Sequence, residues 1–134
     1  MKSRGLGDVY KRQDTAALLQ QVGELFIRRG FSATSIDEVV KTTSVVRGSL
    51  YSLFGSKQGV FVAALKHAVD EHSNDDDSGR EALLDLLNVA VFEIAPHNRD
   101  VAELVQRIIH TNGITAQALG QRALERACLT EASG

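Results

Sequence analysis

Apolar residues recur along this chain at helical spacing, separated by short polar stops. Leu18, Val22, Leu25 and Phe26, with Leu19 beside them, fall on one face of a helix that starts near Thr15. Gly30 stands where a left-handed residue ends such a helix, and Phe31 folds back onto its last turn. Ser35 and Glu38 form a capping box for a short second helix that buries Ile36, Val39 and Val40, with Thr34 and Asp37 as a competing register. The polar, β-branched run from Thr42 to Val45 predicts a tight turn. A third short helix over about 46–53 then buries Val45, Leu50 and either Leu53 or Phe54. Gly55 ends it, and Ser56 caps a fourth helix of about 57–72 carrying Val60, Phe61, Ala64, Leu65 and Ala68.

Residues 73–79, SNDDDSG, form a polar break. Beyond it, 82–95 is apolar enough to demand burial on several sides. Pro96 stops that helix and Asn98 caps the next, whose stripe is Val101, Leu104, Val105, Ile108 and Ile109. Asn112-Gly113 interrupts it before an alanine-rich helix over 116–129. Nothing alternates like a strand, so the expected fold is all-α. Residues 1–13, MKSRGLGDVYKRQ, lack helical period and read as a flexible basic arm or a non-native scar.

Helix, short helix, tight turn, short helix is the layout of a helix-turn-helix, in which the last helix enters the DNA major groove. The polar positions of the third helix then acquire a role. Arg47 can donate two hydrogen bonds to a guanine edge, and Gly48 allows close approach of the backbone. Ser49 and Ser52 carry short hydroxyls, and Tyr51 offers its hydroxyl to a phosphate. Lys57 and the free N–H groups at the starts of the second helix (Thr34, Ser35) and of the fourth suit phosphates. Val46 opens this stretch. Charge points the same way: residues 1–72 hold ten Lys and Arg against seven Asp and Glu, whereas 73–134 hold five against ten. A basic front and an acidic rear suit a protein that offers one end to a polyanion.

The stretch ELFIRRGFSATSIDEVV…VVRGSLYSLFGSKQGVF resembles the N-terminal domain of the TetR/AcrR family of transcriptional repressors. The likeness rests on Glu24-Leu25-Phe26, Arg29-Gly30-Phe31, Ala33-Thr34-Ser35, Gly48-Ser49-Leu50-Tyr51, Phe54, Gly55-Ser56-Lys57 and Phe61, and covers about residues 14–66. It implies a three-helix DNA-binding domain over 14–58, followed over 59–134 by a shortened helical regulatory region for ligand binding and dimerisation. By this resemblance Thr34, Ser35, Tyr51 and Lys57 take phosphate-contacting positions, while Arg47, Gly48, Ser49 and Ser52 lie on the recognition helix. Two positions depart from the family pattern: Ser44 where the turn usually has Gly, and Val46 where a capping Ser is usual.

In the rear half, NVAVFEIAPHNRDVAELVQRII is similar to a family stretch and the long helix after it. The last helix of the family's dimer-forming pair is expected where the chain stops at Ser133-Gly134, which implies a shortened or truncated member, or a fragment, whose homodimer is weak. Leu83, Leu87, Val91, Phe92, Val105 and Ile109 are the candidate lining of a pocket for an unknown small-molecule effector. The expected activity is that of a repressor released by that ligand. The alternative is a non-repressing fragment that acts as a helical interaction module or as a dominant-negative partner.

Other classes find little support. His67 and His72 are five apart, off the spacing that brings two metal ligands to one helix face. Asp75-Asp76-Asp77 reads as a solvated linker, and there is neither a phosphate-binding glycine loop nor a nucleophile–base pair. No enzyme, metal or cofactor is therefore expected. A single Cys, one Pro and no apolar run of the roughly 18–20 residues that span a bilayer make the cytoplasm the expected compartment.

Overall fold

Chain punctuation sets the element order. In the computed structural model the described residues are 4–74 and 77–129, with side chains described over 15–73 and 79–129. The helices are α1 (Arg4–Arg29), α2 (Ile36–Thr43), α3 (Arg47–Phe54), α4 (Lys57–Asn74), α5 (Asp77–Val89), α6 (Arg99–Thr111) and α7 (Ala116–Arg126). A π-helical turn (Ala90–Ile94) and a 3₁₀ turn (Ala95–His97) join α5 to α6. The all-α expectation is met throughout the described residues. One expectation changes: α1 begins at Arg4, so much of the segment read as an irregular arm continues the helix. Gly5 and Gly7 weaken a helix but do not break it as proline would. Residues 1–3 lie outside the described residues.

α1 buries Leu18, Val22, Leu25 and Phe26, as their spacing requires. Gly30, at φ +87°, ends it by donating its N–H to the Phe26 carbonyl at 2.7 Å. Phe31 then turns back, and Phe26, Phe31 and Phe61 pack with ring centroids 5.1–5.9 Å apart. This trio joins α1, the α1–α2 loop and α4.

α2 opens with the expected capping box: Ser35 Oγ accepts from the Glu38 N–H at 3.1 Å, and Glu38 Oε1 accepts from the Ser35 N–H at 3.0 Å. It closes at Ser44, a left-handed residue at φ +63°. α3 has Val46 in its capping position with no side-chain hydrogen bond, so both departures from the family pattern fall where the backbone favours a different residue. Leu50 is the buried anchor of α3, Phe54 packs partly against the core, and Leu53 is exposed. The turn into α4 is tight. A Cβ on Gly59 would collide with the Phe54 carbonyl, and Ser56 Oγ caps α4 by accepting from the Gly59 N–H at 3.0 Å.

α5 is sheathed on several sides, with Leu83, Leu84, Leu86, Leu87 and Val89 all buried. The helix does not run on regularly to residue 95. A π turn, with one more residue than an α-helical turn, takes over at Ala90–Ile94, and within it Val91 and Phe92 are exposed. Asn98 caps α6 as expected, accepting from the Val101 N–H at 3.0 Å. Val101, Val105 and Ile108 are buried within the chain, so the α6 stripe is not an open surface. A charged fork docks α7 on α5. Arg122 Nε and Nη2 donate to the two Asp85 carboxylate oxygens at 2.8 and 3.1 Å, and that bond holds the guanidinium pKa above its usual value despite desolvation.

Candidate nucleic-acid interface

Short helices, each held by one or two apolar anchors, leave most of their surface outside. On α3, Arg47, Gly48, Ser49, Tyr51, Ser52 and Leu53 are exposed around the buried Leu50, and Val46 before them is 64% exposed. This brings the residues singled out on the third helix onto one accessible element. Arg47 Nη2 donates to Asp37 Oδ1 on α2, an ion pair with both side chains open to solvent. Such a pair is weak and exchanges readily for another anion. Gly48 is notable for its empty surroundings. A Cβ added there would meet nothing within 4 Å, so no contact inside the chain requires glycine in the first turn of α3.

The loop before α2 departs from the expectation. Thr34 is fully buried, and its Oγ1 donates to the Gly30 carbonyl at 2.6 Å. It shapes the loop from within and does not offer its hydroxyl outward. The signal was present in the sequence: a threonine four residues after a helix-ending glycine is placed to bond back to it. Ser35 is exposed, with both its N–H and its hydroxyl engaged in the capping box. Lys57 is half-buried and turned inward. Its Nζ donates to the carbonyls of Phe31 and Thr34, each at 3.0 Å, and sits 4.3 Å from the Phe31 ring centroid.

Sequence reasoning missed Glu93. Its Oε1 accepts from the N–H groups of Phe31 at 3.1 Å and Ser32 at 2.8 Å, across more than sixty residues of chain. The candidate effector residues, in contrast, do not surround one cavity. Leu83, Leu87 and Val105 are core, Ile109 packs partly against it, and Val91 and Phe92 are exposed within the π turn. A cleft of about 260 Å³ lies elsewhere, between α1, α4 and α5, with Leu19, Ile27, Ala64 and Leu86 in its wall and Glu24 and Glu71 beside them. Among the described residues no group of His, Cys, Asp and Glu is placed to hold a metal ion, and no helix is long and apolar enough to cross a membrane.

Residues 18–64 match the family model described as bacterial regulatory proteins, tetR family. An uncharacterized HTH-type transcriptional regulator, YezE of Bacillus subtilis (strain 168), is 31% identical over 88 residues, 60% of this chain and 45% of that protein. The HTH-type transcriptional repressor ComR of Escherichia coli (strain K12) is 36% identical over 69 residues, 52% of this chain and 31% of that one. The chain thus spans less than half the length of either relative, and no solved structure matches it. The matched segment runs from Leu18 in α1 into α4 and contains the whole helix–turn–helix, which is a DNA-binding domain of the tetR family of bacterial regulatory proteins.

Proposed function

We propose that the chain is a sequence-specific DNA-binding transcriptional regulator, a repressor released by a small-molecule ligand, that works as a homodimer in the cytoplasm where its DNA lies. Residues 14–58 form the DNA-reading unit, and 59–134 the helical region for ligand binding and dimerisation. α3 lies in the major groove, with Arg47, Ser49 and Ser52 toward base edges and Val46 against the groove wall. Tyr51, Ser35 and the N-terminus of α4 meet phosphates. Arg47 exchanges Asp37 for DNA. The name of the ComR relative as a repressor supports the direction of regulation.

The observation that carries this reading is Gly48. Glycine is a poorer helix former than alanine even in a first turn, and nothing inside the chain needs it at this position. The need then lies outside, where a DNA backbone approaches α3 too closely for a methyl group. Gly48→Ala should therefore raise the melting temperature and weaken DNA binding at once. Fluorescence anisotropy on duplex DNA over a salt series reads the second effect, and wild-type affinity should fall steeply with salt. A Gly48→Ala variant that binds as tightly as wild type removes α3 from the interface. The adaptor reading draws on Phe92, a large apolar side chain 73% exposed. It gains only if the chain ignores duplex DNA at low salt.

A further inference from the structure

The corner between α5 and α6 grips the helix-turn-helix at two places. Glu93, on the π turn, accepts hydrogen bonds from the Phe31 and Ser32 N–H groups at 3.1 and 2.8 Å. Asn98, at the start of α6, donates its Nδ2 to Gln58 Oε1 in the first turn of α4 at 3.2 Å. The Phe31 peptide is held from both ends, its N–H by Glu93 and its C=O by Lys57 Nζ at 3.0 Å. The fit is close: a Cβ on Gly30 would lie 2.6 Å from Glu93 Oε2.

The geometry points to Glu93 as a positioning residue for the DNA-reading unit, one that couples the state of the α5–α6 corner to the loop that sets α2 and α3. This rests on the DNA-binding reading above. Ser32 is exposed, so water can replace the Glu93 carboxylate at its N–H, and the bond fixes where the loop sits more than whether the chain folds. The π turn supplies a means of release. Shifting it by one residue into α-helical register swings position 93 by about 100° around the helix axis and takes the carboxylate off the loop. A change of packing at the corner thereby becomes freedom at Phe31, and through Lys57 at the start of α4. Glu93 touches no DNA in this scheme.

The test uses the full chain, Glu93→Ala, Glu93→Gln, and, as a core-destabilised control away from the corner, Leu84→Ala on the face of α5 toward α7. The probe is a 30-base-pair duplex enriched from a random pool by the wild-type chain. Glu93→Ala should weaken binding at least tenfold with no change in salt slope, because no phosphate contact is lost. Amide exchange at Phe31 and Ser32 should accelerate with it. Glu93→Gln keeps an acceptor for both N–H groups and should stay within about threefold of wild type. Leu84→Ala should lower the melting temperature and leave affinity at temperatures well below it unchanged. Wild-type affinity in Glu93→Ala, or losses in Glu93→Ala and Leu84→Ala that simply track their melting temperatures, overturns the proposal. If the wild-type chain enriches no duplex, the DNA-binding reading falls, and amide exchange still decides the latch: unchanged protection at Phe31 and Ser32 in Glu93→Ala refutes it.

Discussion

Ser44→Gly should make this protein more stable, although it removes a side chain and adds freedom to the unfolded state. Ser44 ends α2 at φ +63°, ψ +18°, in the left-handed region. A Cβ there crowds the following carbonyl and costs about 1–2 kcal/mol. Nothing offsets that cost. The side chain is exposed and takes part in no hydrogen bond among the described residues, while the backbone N–H bond to the Val40 carbonyl at 2.7 Å is open equally to glycine. Against the relief stands the extra unfolded-state entropy of glycine, about 0.4–1 kcal/mol. The difference leaves a gain of about 0.5–1 kcal/mol, or about 2–4 °C in melting temperature for a domain of this length. Thermal melts followed by circular dichroism read it directly. Ser52→Gly is the matched control: the same chemistry on an exposed position inside α3, where it should cost about 0.5 kcal/mol. Two melts moving in the same direction, or a Ser44→Gly melt at or below that of the parent, refute the argument from backbone strain.

Val46→Ser gives α3 the cap it lacks and should add about 1 kcal/mol in the same melts. Gly59→Ala runs against helix propensity: the methyl group meets the Phe54 carbonyl, so a loss of about 2 kcal/mol or more is expected in urea titrations where propensity alone forecasts a gain. Asp85→Ala leaves the half-buried Arg122 guanidinium with only the longer contacts to Glu81 at 3.7 Å and Glu125 at 3.5 Å. It should cost about 2–4 kcal/mol, and amide exchange should show α7 opening ahead of the rest.

Local features were legible in the sequence. The box at Ser35 and Glu38, the caps at Ser56 and Asn98 and the stops at Gly30 and Gly55 each involve groups within four residues, so the spacing of residue types encodes them. The strained Ser44 and uncapped Val46 were legible by another route, as departures from the pattern of the family that the stretch resembles. The features that escaped depend on distance along the chain or on register. Glu93 meets Phe31 only because α5 returns alongside α1, and no local pattern announces that meeting. The exposure of Phe92 falls within a π turn, which hydrophobic periodicity does not resolve. The inward bonds of Lys57 escaped for a different reason. A lysine at a helix start reads as a free charge, yet two carbonyls and an aromatic ring stood within its reach.

The first turn of α4 explains how so slight a unit as α3 keeps its orientation. An eight-residue helix is marginal by itself, and this one lacks a side-chain cap and buries little beyond Leu50. Three consecutive residues of α4 hold its surroundings. Lys57 binds the carbonyls of the α1–α2 loop, Gln58 takes the Asn98 amide from the α6 corner, and Gly59 lets the end of α3 pass against the helix. Successive helical positions point about 100° apart, so one turn of backbone can serve three neighbours on three sides. The arrangement turns the lysine charge inward, whereas Arg47 stays at the surface in a solvent-exposed pair with Asp37. It also means that α3 has no position independent of α4. Asn98 bonds Gln58 directly, and Lys57 and Gly59, which meet the loop and the end of α3, share its turn, so the three contacts are joined through one turn of backbone.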